Sequence, residues 1–291
     1  MRRAADAPEK GAGAELFGLG RRKPAVAVLR LNGAIGNIGP LRRGMNIQRL
    51  APAIQRAFSV KGLKAVALSV NSPGGSAVQS ALIYRRIRDL ANEKNIPVLV
   101  FVEDVAASGG YWLACAGDEI FADANSIIGS IGVVTGGFGF VEAIGKLGIE
   151  RRVYTAGARK AMLDPFRPEN EDDVAHLKTI QKDMHDSFID LVQRRRGKKL
   201  KGDSLFTGEF WTGRKALELG LVDALGDMRS VCRDRFGEKV RLVVIGERRS
   251  WFKRRFGLAG ERAPQESWGI ALGAGLLAAV EERALWSRFG L

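Results

Sequence analysis

The sequence has few of the residues from which redox and metal sites are built. It contains two cysteines, Cys115 and Cys232, and two histidines, His176 and His185. Two cysteines cannot make a disulfide framework, and no Cys/His group has the spacing of a zinc site. We therefore expect no metal and no cofactor, and a chemistry that is neither redox nor zinc-dependent.

Long apolar segments are also missing. The chain begins Met1-Arg2-Arg3 and continues with charged and Gly-rich residues, so no signal peptide is predicted. Near the C-terminus, residues 268–280 are apolar, but a helix that spans a bilayer needs about 20 such residues. We therefore expect a cytoplasmic protein, or one bound peripherally to the inner membrane, without a transmembrane helix.

Acidic residues are too few to balance the basic ones, and the formal net charge is +14. Much of the excess lies in the flanks, with six Lys/Arg against three acids in residues 1–23 and six against two in residues 247–263. The basic run at 194–199 has no interleaved aromatic residues on which bases could stack. We therefore expect no specific nucleic-acid partner.

The C-terminal flank combines basic and aromatic residues. Trp251 and Phe252 lie inside the basic stretch 248–255. Such a mixture is typical of segments that dock on an anionic membrane surface, which predicts a peripheral membrane contact. A solvated tail, or one that packs in an oligomer, is the alternative, and the sequence leaves both open.

Strand and helix patterns alternate along the middle of the chain. Strands are predicted at 25–31, 64–70, 97–102, 119–122, 151–154 and 240–245, and helices at 46–59, 78–93, 111–116, 170–196 and 214–219. The segment 97–102 barely alternates between apolar and polar residues, as expected for a strand buried on both faces. The pattern predicts one α/β domain over residues 24–246, with a flexible basic N-terminal tail (1–23) and a basic, partly apolar C-terminal tail (247–291).

Two glycine-containing turns follow predicted strands, Ser72-Pro73-Gly74-Gly75 and Ala107-Ser108-Gly109-Gly110. In open α/β sheets, reactive groups gather beyond the carboxyl ends of the strands, where turns expose backbone N–H groups. The first turn could direct N–H groups at a developing oxyanion, and the second presents Ser108 between small residues. Taken singly, however, a glycine pair is also an ordinary tight turn, and a serine at a helix start is also an ordinary N-cap.

A nucleophilic serine requires a base. His176 and His185 both fall in the polar helical stretch 170–196, away from the strand-end turns, and are interpreted as surface or half-buried helix positions. A lysine can serve if burial lowers the pKa of its ammonium toward neutrality. Lys160, in a loop of small residues, is a candidate, although by spacing alone it is one of many lysines.

Five segments, in this order, resemble the signal peptide peptidase A family, including its SohB-like members. They are Ser72–Gly75, Ala107–Tyr111, Ile128–Val133, Gly157–Lys160 and Gly220–Asp223. Lys160 follows Ser108 by 52 residues, which is similar to the spacing in single-domain members. The resemblance covers roughly residues 24–246.

The resemblance implies a ClpP/crotonase-like fold of repeated β-β-α units and the hydrolysis of peptide bonds. It implies Ser108 as nucleophile, Lys160 as general base and Ser130 as the hydroxyl that orients the lysine amine. The glycines of the two turns complete the implied site, Gly75 and Gly109 as oxyanion donors, and Gly74 and Gly110 beside the substrate.

The resemblance further implies a ring-shaped homo-oligomer that takes unfolded or hydrophobic peptides, such as signal-peptide remnants or fragments of membrane proteins. Typical members carry an N-terminal membrane anchor, and none is seen in this sequence, so the location and the substrate stay open. Two rivals remain. One is a crotonase-type acyl-CoA enzyme using Glu103 and Asp104, and the other is a non-catalytic scaffold of the same fold, against which the joint presence of Ser108, Ser130 and Lys160 argues.

Overall fold

The computed structural model describes residues 23–36, 44–202, 204–246, 280 and 283–291. The strands are β1 (Ala25–Asn32), β2 (Leu63–Ser72), β3 (Val98–Ala107), β4 (Glu119–Ala122), β5 (Ile127–Gly129), β6 (Phe210–Thr212), β7 (Ala224–Leu225) and β8 (Arg241–Val244). The helices are α1 (Ile47–Ala57), α2 (Ala77–Lys94), α3 (Gly109–Ala114), α4 (Val141–Lys146), α5 (Glu171–Arg196), α6 (Gly213–Glu218) and α7 (Met228–Phe236). Residues 1–22 and most of 247–282, on which the predictions about the two tails rest, lie outside the described part.

The strands form one sheet in the order β6-β5-β3-β2-β1-β8, with β4 pairing β3 and β7. Every pairing is parallel except that of β5 with β6. The predicted α/β fold is confirmed. Parallel strands end at the same edge of the sheet, so the turns after β2 and β3 are brought side by side.

The sheet is buried on both faces, which explains the unbroken apolar runs in the sequence. Alternate residues of β1, such as Leu29 and Leu31, face the larger core beneath α1, α2 and α3. The intervening residues Val26 and Val28 face a second, smaller core that α7 covers with Cys232 and its neighbours. In the described part of the chain, no helix has both the length and the apolar character that crossing a membrane requires.

Strand β3 is bent by an irregularity that decides where the chain turns. Val102 pairs with Val70 of β2 and Ala106 pairs with Ser72, so β3 uses two more residues than β2 between these pairs. Its first half pairs with β4 and its second half pairs with β5. As a result, Ala107 lies beside Gly129 of β5 just before the turn at Ser108.

A segment between β5 and α5, residues 133–170, has no buried residue, and we call it the arm. The prediction of a strand at 151–154 is wrong, because these residues lie in the arm, where no neighbouring strand pairs with them. Arg151 pairs with Asp164 instead, and its guanidinium lies 4.6 Å from the ring centre of Phe166. The arm is held by contacts within itself and by hydrogen bonds of Arg159 and Leu163 to α5, rather than by the sheet.

Candidate active site

Ser108 connects the end of β3 to α3 in a backbone conformation that is rare for a residue with a side chain. Its φ is 50° and its ψ is −122°. Its N–H donates to the carbonyl of Gly129 (2.8 Å), and its carbonyl accepts from the N–H of Trp112 (3.0 Å). The hydroxyl caps no N–H of α3 and the residue is half-buried. The ordinary explanation of a serine at a helix start, an N-cap bond, therefore does not apply.

The two glycine turns meet at this point. A Cβ on Gly74 would lie 2.8 Å from the Cβ of Ser108 and 2.9 Å from the amide nitrogen of Gly109, so only glycine allows this approach. Gly75 has a φ of 137°, and a Cβ there would lie 2.2 Å from the carbonyl oxygen of Ile35. The turn is held to Ile35 from both sides, because Ile35 N–H donates to Gly74 and its carbonyl accepts from Ser76.

The backbone N–H groups of Gly75 and Gly109 are available as donors. Gly109 is the first residue of α3, and its N–H consequently has no acceptor within the helix. The N–H of Gly75 donates to no described residue. A Cβ on Gly109 would lie 3.4 Å from the amide nitrogen of Gly75, so the two turns face each other at close range. Gly110 is buried, and a Cβ there would lie 2.4 Å from the carbonyl oxygen of Ser72.

Ser130 lies next to the turn that contains Ser108. It directly follows Gly129, whose carbonyl holds the Ser108 N–H. It is buried (7% exposed), has a φ of 53°, and donates its own N–H to the carbonyl of Glu209 at 2.6 Å. The structure therefore brings Ser108, Ser130 and the glycines of both turns into one site.

Lys160 does not join this group within the single chain. It lies in a turn of the arm, where its N–H donates to the carbonyl of Gly157 (3.2 Å). Its side chain is exposed and forms no hydrogen bond or ion pair with a described residue. The turn is attached to α5, because Arg159 donates to the carbonyl of Asp172. The assignment of Lys160 as general base stays a prediction.

The Gly220–Asp223 segment packs against α3 and supports it, a role that the sequence did not suggest. The Tyr111 hydroxyl, fully buried, donates to the carbonyl of Leu221 at 2.8 Å. Arg196, only 4% exposed, donates to the carbonyl of Gly220 and to the carboxylate of Asp223. These contacts fix α3, the helix that follows Ser108.

Burial and hydrogen bonds shift the pKa values of the residues that support α3. Burial raises the pKa of the Cys115 thiol, at the end of α3, to about 12, and it also raises the pKa of the Tyr111 hydroxyl well above its ordinary value. Burial alone would raise the pKa of the Asp223 carboxyl as well. Hydrogen bonds from Arg196, Lys199 and a backbone N–H outweigh it, so the pKa of Asp223 is lowered.

Of the two histidines, only His185 lies next to the candidate site. His176 is exposed on α5, as predicted for a surface position. His185 is half-buried, and its Nε2 lies 3.1 Å from the carbonyl oxygen of Ile131, the residue after Ser130. No hydrogen bond joins it to Ser108. The sequence placed both histidines away from the strand-end turns, and only the folded chain brings His185 to one of them.

The acidic pair on which the crotonase alternative depends has partners of its own. Glu103 accepts from the Ser69 hydroxyl at 2.5 Å, and Asp104 accepts from the side-chain amide of Asn71 at 2.7 Å. Both carboxylates lie on the extra residues of β3, before the strand reaches Ser108. Within the described part of the chain, no three His, Cys, Asp or Glu side chains are grouped to hold a metal ion.

Comparison with known sequences places these features among peptidases. Residues 90–238 match the sequence model of Peptidase family S49. The chain is 30% identical over 212 residues to "Putative signal peptide peptidase SppA" of Enterococcus faecium, covering 71% of this chain and 61% of that protein. It is 31% identical over 208 residues to "Protease 4" of Haemophilus influenzae, covering 69% of this chain and 32% of that protein.

A more similar relative has a different name. The chain is 53% identical over 272 residues to "Na(+)/H(+) antiporter NhaA" of Brucella abortus, a match that covers 91% of this chain. The same match covers 37% of that protein, so this chain spans little more than a third of its length. Because 91% of the chain is matched, the shared region includes most of residues 90–238.

Proposed function

Because the chain belongs to Peptidase family S49, we propose that it is a serine endopeptidase with Ser108 as nucleophile and Lys160 as general base. The observation that carries the proposal is the meeting of two turns. The Ser108 hydroxyl makes no cap bond in its rare backbone conformation, and a Cβ on Gly109 would lie 3.4 Å from the amide nitrogen of Gly75, so the two turns lie at close range beside it.

The reaction that fits this geometry is acyl transfer. The Lys160 amine takes the proton of the Ser108 hydroxyl as the oxygen attacks the substrate carbonyl carbon. The Gly75 and Gly109 N–H groups donate to the oxyanion, and each such donor is worth roughly 3 kcal/mol in proteases. The C–N bond breaks as Lys160 returns the proton to the leaving amine. Water then attacks the acyl carbonyl carbon and gives a proton to Lys160. The ester bond to Ser108 breaks, the carboxylic acid product leaves, and Lys160 returns the proton to the Ser108 oxygen.

Burial is one way to lower the pKa of a lysine so that it can act as a base, and the Lys160 side chain is exposed in the single chain. We propose that a second copy of the chain supplies the burial, within a ring-shaped homo-oligomer. The arm supports this proposal because it exposes large apolar side chains, with Phe138 79%, Leu147 73% and Tyr154 89% exposed. Groups of exposed apolar side chains, unlike single ones, mark interaction surfaces.

The first experiment replaces the two reactive groups. Ser108→Ala and Lys160→Ala should each lower kcat/KM for an unfolded protein or a hydrophobic peptide at least about 1000-fold. The unfolding temperature of Lys160→Ala should be close to that of the wild type, because within one chain the side chain forms no hydrogen bond or ion pair with a described residue. Lys146→Ala is the matched control, since Lys146 is another exposed lysine of the arm. Full activity in either catalytic variant would refute the dyad.

The second experiment asks whether the dyad forms between copies. Ser108→Ala and Lys160→Ala chains, both inactive alone, are coexpressed in equal amounts. If Ser108 of one copy works with Lys160 of another, random symmetric assembly restores about a quarter of wild-type activity. If the mixture stays inactive, the sharing of sites between copies is refuted. Light scattering measures the assembly, and a monomer at working concentration excludes the ring.

For the substrate we propose unfolded or hydrophobic peptides, including signal-peptide remnants and fragments of membrane proteins. The similarity to a relative named as a putative signal peptide peptidase supports this class. A panel that compares signal peptides with soluble peptides of equal length tests it, and equal kcat/KM for both sets would contradict it. We propose no transport activity from the antiporter-named relative, because the matched region is the one shared with peptidases.

We also propose a peripheral membrane contact through the basic tails, whose residues 1–22 and 247–279 lie outside the described part. Their excess of Lys and Arg supports attraction to anionic lipid. Co-sedimentation with vesicles of phosphatidylglycerol and phosphatidylcholine should fall when residues 247–291 are deleted. Equal sedimentation with and without these residues would refute the contact. Location in the cytoplasm or on the inner membrane is likewise a proposal, to be tested by cell fractionation.

A further inference from the structure

One helix, α5, contacts three segments at or near the candidate site. Near its N-terminal end it accepts the N–H of Leu163, which lies in the arm close to the Lys160 turn. Further along, His185 Nε2 lies 3.1 Å from the carbonyl oxygen of Ile131. Three residues later, the ring of Phe188 packs on the ring of Trp112 in α3, with centres 4.9 Å apart. The helix therefore links the arm, the Ser130 turn and the nucleophile helix.

His185 lies where α5 leaves the body of the domain. The buried residues of the helix are Phe188, Leu191, Val192 and Arg196, all C-terminal to His185. Every residue of α5 before His185 is exposed or half-buried. Among the described residues, His185 is the most N-terminal residue of α5 whose side chain hydrogen-bonds to the domain outside the arm.

The turn that His185 contacts is strained. Ser130 has a φ of 53°, and a non-glycine residue in this region costs roughly 1–3 kcal/mol, so it persists only where its surroundings hold it. Two hydrogen bonds hold this turn. One runs from the Ser130 N–H to the Glu209 carbonyl (2.6 Å), and the other joins His185 and the Ile131 carbonyl. Within the described residues, no other side chain of α5 hydrogen-bonds to this turn.

We propose that His185 is a positioning residue of the active site, which holds the Ser130 hydroxyl toward the catalytic amine by donating its Nε2 hydrogen to the Ile131 carbonyl. The inference rests on the proposed function, because it assumes that Ser130 orients Lys160. A carbonyl oxygen only accepts, so Nε2 must carry hydrogen. This nitrogen therefore cannot take the Ser108 proton, and His185 acts through Ser130 rather than as a base.

The test removes the hydrogen-bond donor while keeping an aromatic ring. His185→Phe retains a ring without a donor, and His185→Gln places an amide N–H the same number of bonds from the backbone. His176→Phe is the matched control on the exposed side of α5. Kinetics are measured with an unfolded-protein substrate below the unfolding temperature. Hydrogen exchange of the Ser130 N–H, resolved by NMR or at peptide level, reports the order of the turn independently of activity.

We expect His185→Phe to lower kcat about tenfold with little change in KM, since small displacements of a positioned group cost catalysis rather than binding. We also expect faster exchange at Ser130, with both effects reversed in His185→Gln and absent in His176→Phe. An active wild type whose kcat is unchanged in His185→Phe overturns the inference, as does a loss that His185→Gln does not restore.

The activity and exchange readings separate the two proposals. If the wild type hydrolyses no peptide, the proposed function fails. Protection at Ser130 that is lost in His185→Phe and restored in His185→Gln would then still support the positioning contact. Unchanged protection in all variants would overturn that contact as well.

Discussion

The strained backbone of Ser108 predicts that the stability of a variant without the hydroxyl depends on the residue that replaces the serine. Ser108→Ala and Ser108→Gly both delete the hydroxyl, so the difference between their free energies of unfolding reports the strain of the backbone. The φ of 50° is unfavourable for alanine and permitted for glycine. Strain of this kind is worth roughly 1–3 kcal/mol, and glycine loses about 0.5–1 kcal/mol through its freer unfolded chain. We expect Ser108→Gly to be more stable than Ser108→Ala by about 1 kcal/mol.

A buried serine in an ordinary conformation supplies the control. Ser80 is fully buried inside α2, and its hydroxyl donates to the carbonyl of Ser76. Ser80→Ala and Ser80→Gly both lose that bond, so again only the backbone differs. In a helix interior, glycine is less stable than alanine by about 1 kcal/mol. The sign of the Gly-minus-Ala difference should therefore be opposite at positions 108 and 80.

The four variants are compared by urea unfolding at one protein concentration, because assembly would make the stability depend on concentration. A difference of 1 kcal/mol corresponds to about 2–4 °C in Tm for a domain of 150–250 residues. If glycine is less stable than alanine at both positions by the same margin, the strain at Ser108 is refuted. Neither Ser108 variant should hydrolyse peptides, so any gain in stability would accompany a complete loss of activity.

Three further predictions concern the surroundings of the site. Gly75→Ala should lower kcat/KM at least about 100-fold and reduce Tm, because the new Cβ would lie 2.2 Å from the Ile35 carbonyl oxygen; wild-type kinetics would contradict the oxyanion role. Asp223→Asn should lower the free energy of unfolding by about 3–5 kcal/mol, since it leaves Arg196 buried without its carboxylate. The pKa of Asp223 is lowered in the folded state, so its contribution to the free energy of unfolding is complete above the unfolded pKa of about 4 and disappears as the pH falls through the folded value. The free energy of unfolding, measured by denaturation from pH 7 to pH 3, should therefore change less with pH in Asp223→Asn than in the wild type. An equal change with pH in both proteins would count against this. Burial raises the pKa of Cys115 to about 12, so iodoacetamide at pH 8 should label it only after denaturation, as mass spectrometry of the native protein can check.

Local pattern was sufficient for the long elements. The strand at 97–102 and the helix at 170–196 were predicted within one or two residues at their matching ends, because burial on two faces and helix-compatible polarity are visible in sequence. The structure extends that strand to Ala107 as part of β3. The strands of two or three residues, β5, β6 and β7, were not predicted, since such short segments show no period. Helix α7 was also not predicted.

The candidate site was likewise predictable from the sequence in part. The sequence by itself determined the two glycine turns and Ser108, because a glycine that must approach another backbone, or adopt a positive φ, leaves its mark in the residue type. It could not place Ser130 beside Ser108, since the contact depends on the bend in β3 that pairs Ala107 with Gly129. It could not bring His185 to Ile131, because 54 residues separate them and only the packing of α5 on the domain closes that distance. The exposure of Lys160 is likewise a property of the folded arm, since a residue's surroundings are set by contacts between distant segments, which no local pattern records.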